Sequence, residues 1–189
     1  VDVGCHMAHF QDFAAPYISK PAFWVGIDPL DKGVGPRYNV YIKKAIDNVE
    51  AETTTTFYEY IYDPCDSIVP MHLNKVTHDP AESLTKWHAP FRIEEIVRTS
   101  EIPVCSLRHA LQGIPEAQTI HFLKVDAQGV DIRVVESLGE KVKDTYFVQL
   151  ECVISHNADV TLYEGQTLAE YDIQKMEELG FGIYDRIDY

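Results

Sequence analysis

Two hydrophobic periods alternate along this chain. Residues 1–4 read as the end of a buried strand. Met7, Phe10 and Ala14 then fall at i, i+3 and i+7, which predicts a short helix stopped by Pro16. Residues 22–27 form a second apolar run ending at Asp28-Pro29, and residues 40–46 a third. Residues 53–62 are rich in threonine and aromatics, which predicts a hairpin arm. Residues 93–99 are strand-like, and residues 106–112 predict a short helix before Gly113.

The pattern is clearest in the second half. The run "IHFLKV" ends at Asp126. Gly129 follows, and then Val130, Val134, Val135 and Leu138 line one side of a helix that Gly139 ends as a left-handed cap. Residues 146–150 predict another strand, ending at Glu151. Leu168, Tyr171, Lys175, Met176 and Leu179 trace a helix face with Gly180 at its end. Phe181, Ile183, Ile187 and Tyr189 alternate as a final strand.

Strands alternating with helices predict an α/β fold with a mostly parallel sheet covered on both faces. Functional groups in such sheets collect at the carboxyl ends of the strands. Here those ends carry Gly4, Asp28, Asp126 and Glu151. Acids repeatedly following apolar strands are the most informative pattern in the chain. Residues 64–90 have no period, several prolines and three histidines, and read as an irregular insert of the kind that forms lids and binding loops.

Composition narrows the partners. A chain of 189 residues suits one domain, and 46% hydrophobic content is enough to bury a core. With 16 basic and 30 acidic residues the formal net charge is -14. That disfavours nucleic acid and anionic membrane surfaces, and favours a neutral, hydroxyl-rich partner. No apolar run approaches the ~20 residues of a spanning helix, and no signal peptide is visible, so a cytoplasmic location is expected. The opening directly in a strand is expected of a domain from a longer chain. Cys5, Cys65, Cys105 and Cys152 lie far apart without a C-x-x-C pair, so reduced and mostly buried thiols are expected.

The stretch "VDVGCHMAHF" places one glycine between a strand and a helix. A dinucleotide fingerprint needs further glycines where His6 and His9 stand, so a pyrophosphate cradle is poorly supported. Asp28, after the second strand, is positioned to accept from ribose hydroxyls. Together these point to an adenosine-containing ligand without a pyrophosphate. His6 and His9 share a helix face, but no further zinc ligands are identified.

The segments "VDVGCHMAHF", "VGIDP", "FYEYIYDPCDSIV", "FLKVDAQGVDIRVVESL", "FVQLEC" and "LYEGQTLAEYDIQKMEELGF" occur in that order. This set resembles the FkbM family of S-adenosylmethionine-dependent O-methyltransferases, most strongly where residues 122–138 resemble the run hhKhDhxGxE. The resemblance implies one methyltransferase domain over residues 1–189. Its fold would be a class I, Rossmann-like three-layer sandwich around a seven-stranded sheet whose last strand is antiparallel. Carried over by position, Asp2, Gly4, Cys5 and His6 would hold the methionine part of the cofactor, and Asp28 the ribose. Ile46 and Asp47 would flank the adenine, and Ser67 matches a serine of the family pattern. Cys5-His6 replaces the usual Ala-Asn, Ala8 a glycine, and Asp131 a glutamate.

An alcohol oxygen is a poor nucleophile, so a base should take its proton during transfer. Asp126 and His156 are the primary candidates, with Glu151, His72 and His78 behind them. Lys124 is buried by pattern and so should be paired, and its place on the same side as Asp126 makes that pairing feasible. No metal is assigned, since no metal-ligand spacing is present; a divalent ion on Asp126, Glu151 and His156 is the less favoured arrangement. The expected partner is a small-molecule or carbohydrate acceptor, and the oligomeric state is not set by the sequence. Two alternatives stand beside this reading. One is a nicotinamide-dependent oxidoreductase, for which Tyr171 and Lys175 give the Tyr-x-x-x-Lys spacing, although core packing accounts for Tyr171. The other is a non-catalytic module on the same fold.

Overall fold

The structure, a computed structural model, describes residues 1–5, 11, 22–31, 33, 35–61, 63–72, 95–153 and 161–185. Most of the predicted opening helix and much of the irregular insert lie outside them, as do His6, His78 and His156.

Five strands form a parallel sheet. They are β1 (Asp2–Val3), β2 (Val25–Ile27), β3 (Val40–Ile42), β7 (Ile120–Val125) and β8 (Thr145–Leu150), in the order β3-β2-β1-β7-β8. Val3 is level with Ile27 on one side and with Val125 on the other. A second sheet has the order β4-β6-β5, from β4 (Ala45–Ile46), β5 (Thr53–Tyr60) and β6 (Ile96–Cys105). Three helices are described: α1 (Leu107–Ala110), α2 (Asp131–Glu136) and α3 (Ala169–Glu178). The mostly parallel sheet with flanking helices is the α/β class expected.

The main core joins β1, β2 and β7 to α1 and α2. Leu123, Val134, Val135 and Leu138 have no exposed surface. Burying each such side chain is worth about 1.5–3 kcal/mol. The run "IHFLKV" is therefore the central strand that its apolar pattern requires. Ser106 caps α1 by accepting from the His109 N–H at 3.3 Å. The second helix ends three residues before Gly139, with Ser137 as its right-handed C-cap, and Gly139, at φ +56°, opens the next short turn instead of capping the helix as expected.

Four other expectations are corrected. Residues 40–46 are two strands in two sheets: β3 pairs with β2, whereas Ala45 and Ile46 pair with Val104 and Cys105 of β6. Lys43 and Lys44 cause the break. Their ammonium groups reach Asp31 (3.1 Å) and Glu52 (2.6 Å), so a buried run cannot pass through them. The threonine-rich arm is no local hairpin, because β5 pairs antiparallel with β6, beyond the insert. That partner is longer than periodicity suggests and runs to Cys105. Residues 181–185 are not strand. Among the described residues the large sheet has five strands, all parallel.

Candidate active site

Parallel register carries a row of residues to one edge. The residue after each strand donates its N–H to the last carbonyl of the strand beside it. Asp28 bonds Ile42 O (3.1 Å), Gly4 bonds Ile27 O (2.9 Å), Asp126 bonds Val3 O (3.1 Å) and Glu151 bonds Val125 O (3.4 Å). Asp28, Gly4, Asp126 and Glu151 therefore leave the sheet side by side, in the order their strands dictate. This is the carboxyl edge where ligands bind in open parallel sheets.

Gly4 has φ +71°, and a Cβ there would stand 1.7 Å from the Asp126 carbonyl oxygen. Only glycine fits. The sequence reading assigned this glycine to the approach of a ligand. The structure adds a protein partner, since the turn after β7 lies directly against Gly4.

Beneath that turn sits a buried ion pair. Asp2 is 1% exposed. Its Oδ2 accepts from the Tyr38 hydroxyl at 2.5 Å, and its Oδ1 lies 3.5 Å from Lys124 Nζ. Tyr38 reaches Asp2 across Gly26, where a Cβ would meet the tyrosine ring at 2.7 Å. Burial raises the Asp2 carboxyl above its usual range, against the pull of Lys124 and Tyr38. Burial alone would lower Lys124, but the Asp126 and Asp2 carboxylates outweigh it and hold it above its ordinary value. Lys124 Nζ lies 3.2 Å from Asp126 Oδ2 and donates to Gly4 O at 2.8 Å. The pairing of Lys124 with Asp126 is present, and Asp2 completes it. Asp2 Oδ1 accepts no hydrogen bond among the described residues.

The outer part of the edge is an acid pair bridged by an amide. Gln128 Nε2 donates to Asp126 Oδ1 (2.6 Å) and to Glu151 Oε2 (3.1 Å). Desolvation of its carboxyl, and the Asp126 carboxylate hydrogen-bonded to it, push Glu151 up to about 8, although much of the residue faces solvent. Asp131 lies behind this turn and accepts from the Ala127 N–H (2.8 Å) and the Gly129 N–H (3.2 Å). Burial raises it to about 6, against those two bonds.

The other predicted residues divide. Asp28 is buried, and its Oδ1 accepts from the Leu30 N–H at 2.8 Å. Ser67 joins the edge indirectly, since its hydroxyl donates to Gln128 O at 2.5 Å. Cys5 is a buried thiol packed with Tyr38, and burial with the charges of Asp2 and Asp28 pushes it up to about 12. Ile46 turns into the core, and Asp47, in the smaller sheet's connection, is ion-paired with Arg133.

The profile of the methyltransferase FkbM domain matches residues 6–182. The chain belongs to the FkbM methyltransferase family. Neither the comparison with curated proteins nor that with solved structures found a match.

Membership of this FkbM domain in a family of S-adenosylmethionine-dependent methyltransferases sets it apart from the nicotinamide alternative. Tyr171 is not a core residue, as expected above, but 46% exposed, with Lys175 Nζ 5.6 Å from its ring centre. Lys175 also pairs with Glu178 at 2.7 Å. Among the described residues of the FkbM domain, no group of three or more His, Cys, Asp or Glu could hold a metal ion. No described helix is long and apolar enough to cross a membrane. Sequence reasoning missed Tyr38, Gln128 and Tyr163. Only Gln128 carried a local signal, as the residue between a strand-end acid and a glycine.

Proposed function

We propose that the chain, read as one domain over residues 1–189, is an O-methyltransferase. It moves the methyl of S-adenosylmethionine to a hydroxyl of a small molecule or carbohydrate, leaving S-adenosylhomocysteine. The observation that carries this reading is the level row Asp28, Gly4, Asp126 at the edge of β2, β1 and β7. The residues present fit the cofactor. The buried Oδ1 of Asp2, 3.5 Å from Lys124 Nζ and without a hydrogen bond among the described residues, is an acceptor beneath the Gly4 turn, of the type an amino group satisfies. Asp28, at the end of the neighbouring strand, is an acid where such folds hold a ribose.

When bound, the cofactor supplies a methyl group on a sulfonium, with a neutral thioether as leaving group. Asp2 and the turn through Gly4 and Cys5 would hold its methionine part, with His6 expected beside them, and Asp28 its ribose. Ile46, Asp47 and Ser67 are assigned to the adenine side on the family pattern alone. Asp126 takes the acceptor's hydroxyl proton as oxygen attacks. Such base help is worth ~10²–10⁴-fold. His156 is the second candidate for that task. The rest of the protein's work is alignment and exclusion of water. The surplus of acids favours an uncharged, hydroxyl-rich acceptor.

The test is a methyl-transfer screen against sugars and glycosides, with calorimetry for S-adenosylmethionine and S-adenosylhomocysteine. Turnover should fall ~10²–10⁴-fold in Asp126→Asn with cofactor binding kept. Retained turnover removes Asp126 as base. Absence of binding of either cofactor form returns the chain to the reading of a non-catalytic module.

A further inference from the structure

We propose that Gln128 is a positioning residue that holds Asp126 and Glu151 together as one acid pair. The proposal rests on the reading of Asp126 as proton acceptor, and it deepens that reading by naming what keeps the acceptor in place.

Gln128 is the one described non-glycine residue with positive φ, at +50°. That conformation costs a glutamine about 1 kcal/mol, and asparagine or glycine tolerates it better. The side chain that the turn carries instead makes a set of directed bonds. Its Nε2 spans the two carboxyls, at 2.6 and 3.1 Å. Its Oε1 lies 3.0 Å from the Tyr163 hydroxyl, which also reaches Cys65 O at 3.0 Å. Its main-chain carbonyl accepts from Ser67. The amide orientation follows from chemistry. A carboxylate only accepts, so the NH₂ faces the acids and the oxygen faces the tyrosine.

Tyr163 fixes the far end of this bridge. It is 1% exposed, and Gly129 lacks the Cβ that would meet the ring at 2.8 Å. A rigid hydroxyl and a strained backbone thus aim one neutral donor between two acids. Glu151 itself is exposed, so its carboxyl needs a tether to stay at the turn.

The consequence is a retained proton. The charged groups acting on Glu151 are Asp126, Asp131 and Lys124, and Glu151 in turn acts on Cys65, Cys152 and Tyr163. Of these only Lys124 favours its ionised form. Near neutral pH Glu151 keeps its proton. Above about 8 Glu151 loses its proton and becomes a second acceptor for a hydroxyl proton beside Asp126.

The test is the pH titration of carboxyl carbons by NMR on the cofactor-free protein, with Glu151→Gln to assign the signal. Wild type should titrate near 8 at this site. Gln128→Asn suits the backbone but is too short to span both acids, and Gln128→Met keeps the length without the amide. In both, the midpoint should fall by about 2 pH units or more towards the ordinary carboxyl range. Thermal melts confirm that each variant is folded. In a methyl-transfer assay both should lose the alkaline limb of kcat, with the KM for cofactor within about twofold. An unchanged midpoint in both variants overturns the inference, as does an ordinary midpoint in wild type. If the midpoint moves while wild type methylates no acceptor, Gln128 keeps its positioning role and the methyl-transfer reading falls.

Discussion

Lys124 Nζ donates to the carbonyl oxygen of Gly4 at 2.8 Å, joining two strand ends that are 120 positions apart in the chain. The same ammonium lies 3.5 Å from Asp2 and 3.2 Å from Asp126. One cation thus compensates a buried acid and holds the two turns that form the candidate site. The site and the core beneath it are one unit.

Replacing that cation should be expensive. In Lys124→Met, Asp2 keeps Tyr38 as its one hydrogen-bond partner among the described residues while 1% exposed. Breaking a buried pair from one side costs about 3–5 kcal/mol. The urea midpoint should fall accordingly. Adding Asp2→Asn should recover part of the loss, because the uncompensated charge is gone. Additive losses in the double variant would show that the two groups do not interact.

Gly4→Ala should be worse than an ordinary helix or strand substitution. Its methyl would stand 1.7 Å from the Asp126 carbonyl, so the turn after β7 must move. Overpacking of this kind costs about 1–3 kcal/mol, on top of backbone strain of similar size. A lower melting temperature and loss of cofactor binding in calorimetry should appear together. A wild-type melt with cofactor binding intact would mean that the contact between the turns is dispensable.

Stability should depend on pH through Asp131. Its ordinary value is 3.8, and burial raises it to about 6 in the fold. A carboxyl raised in the folded state favours folding in its protonated form. The contribution is complete below about pH 4 and is lost as pH rises through 6. The size is roughly 3 kcal/mol for a shift of about two units. Denaturation curves between pH 4 and 6 should show this slope in wild type and a flatter one in Asp131→Asn. That window lies below the titration of Glu151 at about 8, so the two acids can be told apart.

Much of the edge was legible before any coordinates. An apolar run can end only where something polar or flexible follows, so the acids after "VGI" and "IHFLKV" marked strand ends directly. Alternation made the pairing of Lys124 with Asp126 feasible, since both fall on the same side of the strand, and the structure has the two groups 3.2 Å apart. The third strand misled because an apolar period survives two lysines that in fact send the chain to another sheet. Tyr38 gave no signal, because its role depends on the missing Cβ of Gly26 and on Asp2, two strands away.

By itself, the sequence determined the α/β class, the ends of its central strands and the family. These rest on local periodicity and on ordered motifs, which need no partner. Only the tertiary structure decided which strand ends stand side by side. It also decided that Gly4 is required by the Asp126 carbonyl, and that Gln128 bridges two acids under the grip of Tyr163 and Ser67. Those relations join residues far apart in the chain. They are set by register between parallel strands and by packing behind the turns, which local periodicity does not encode.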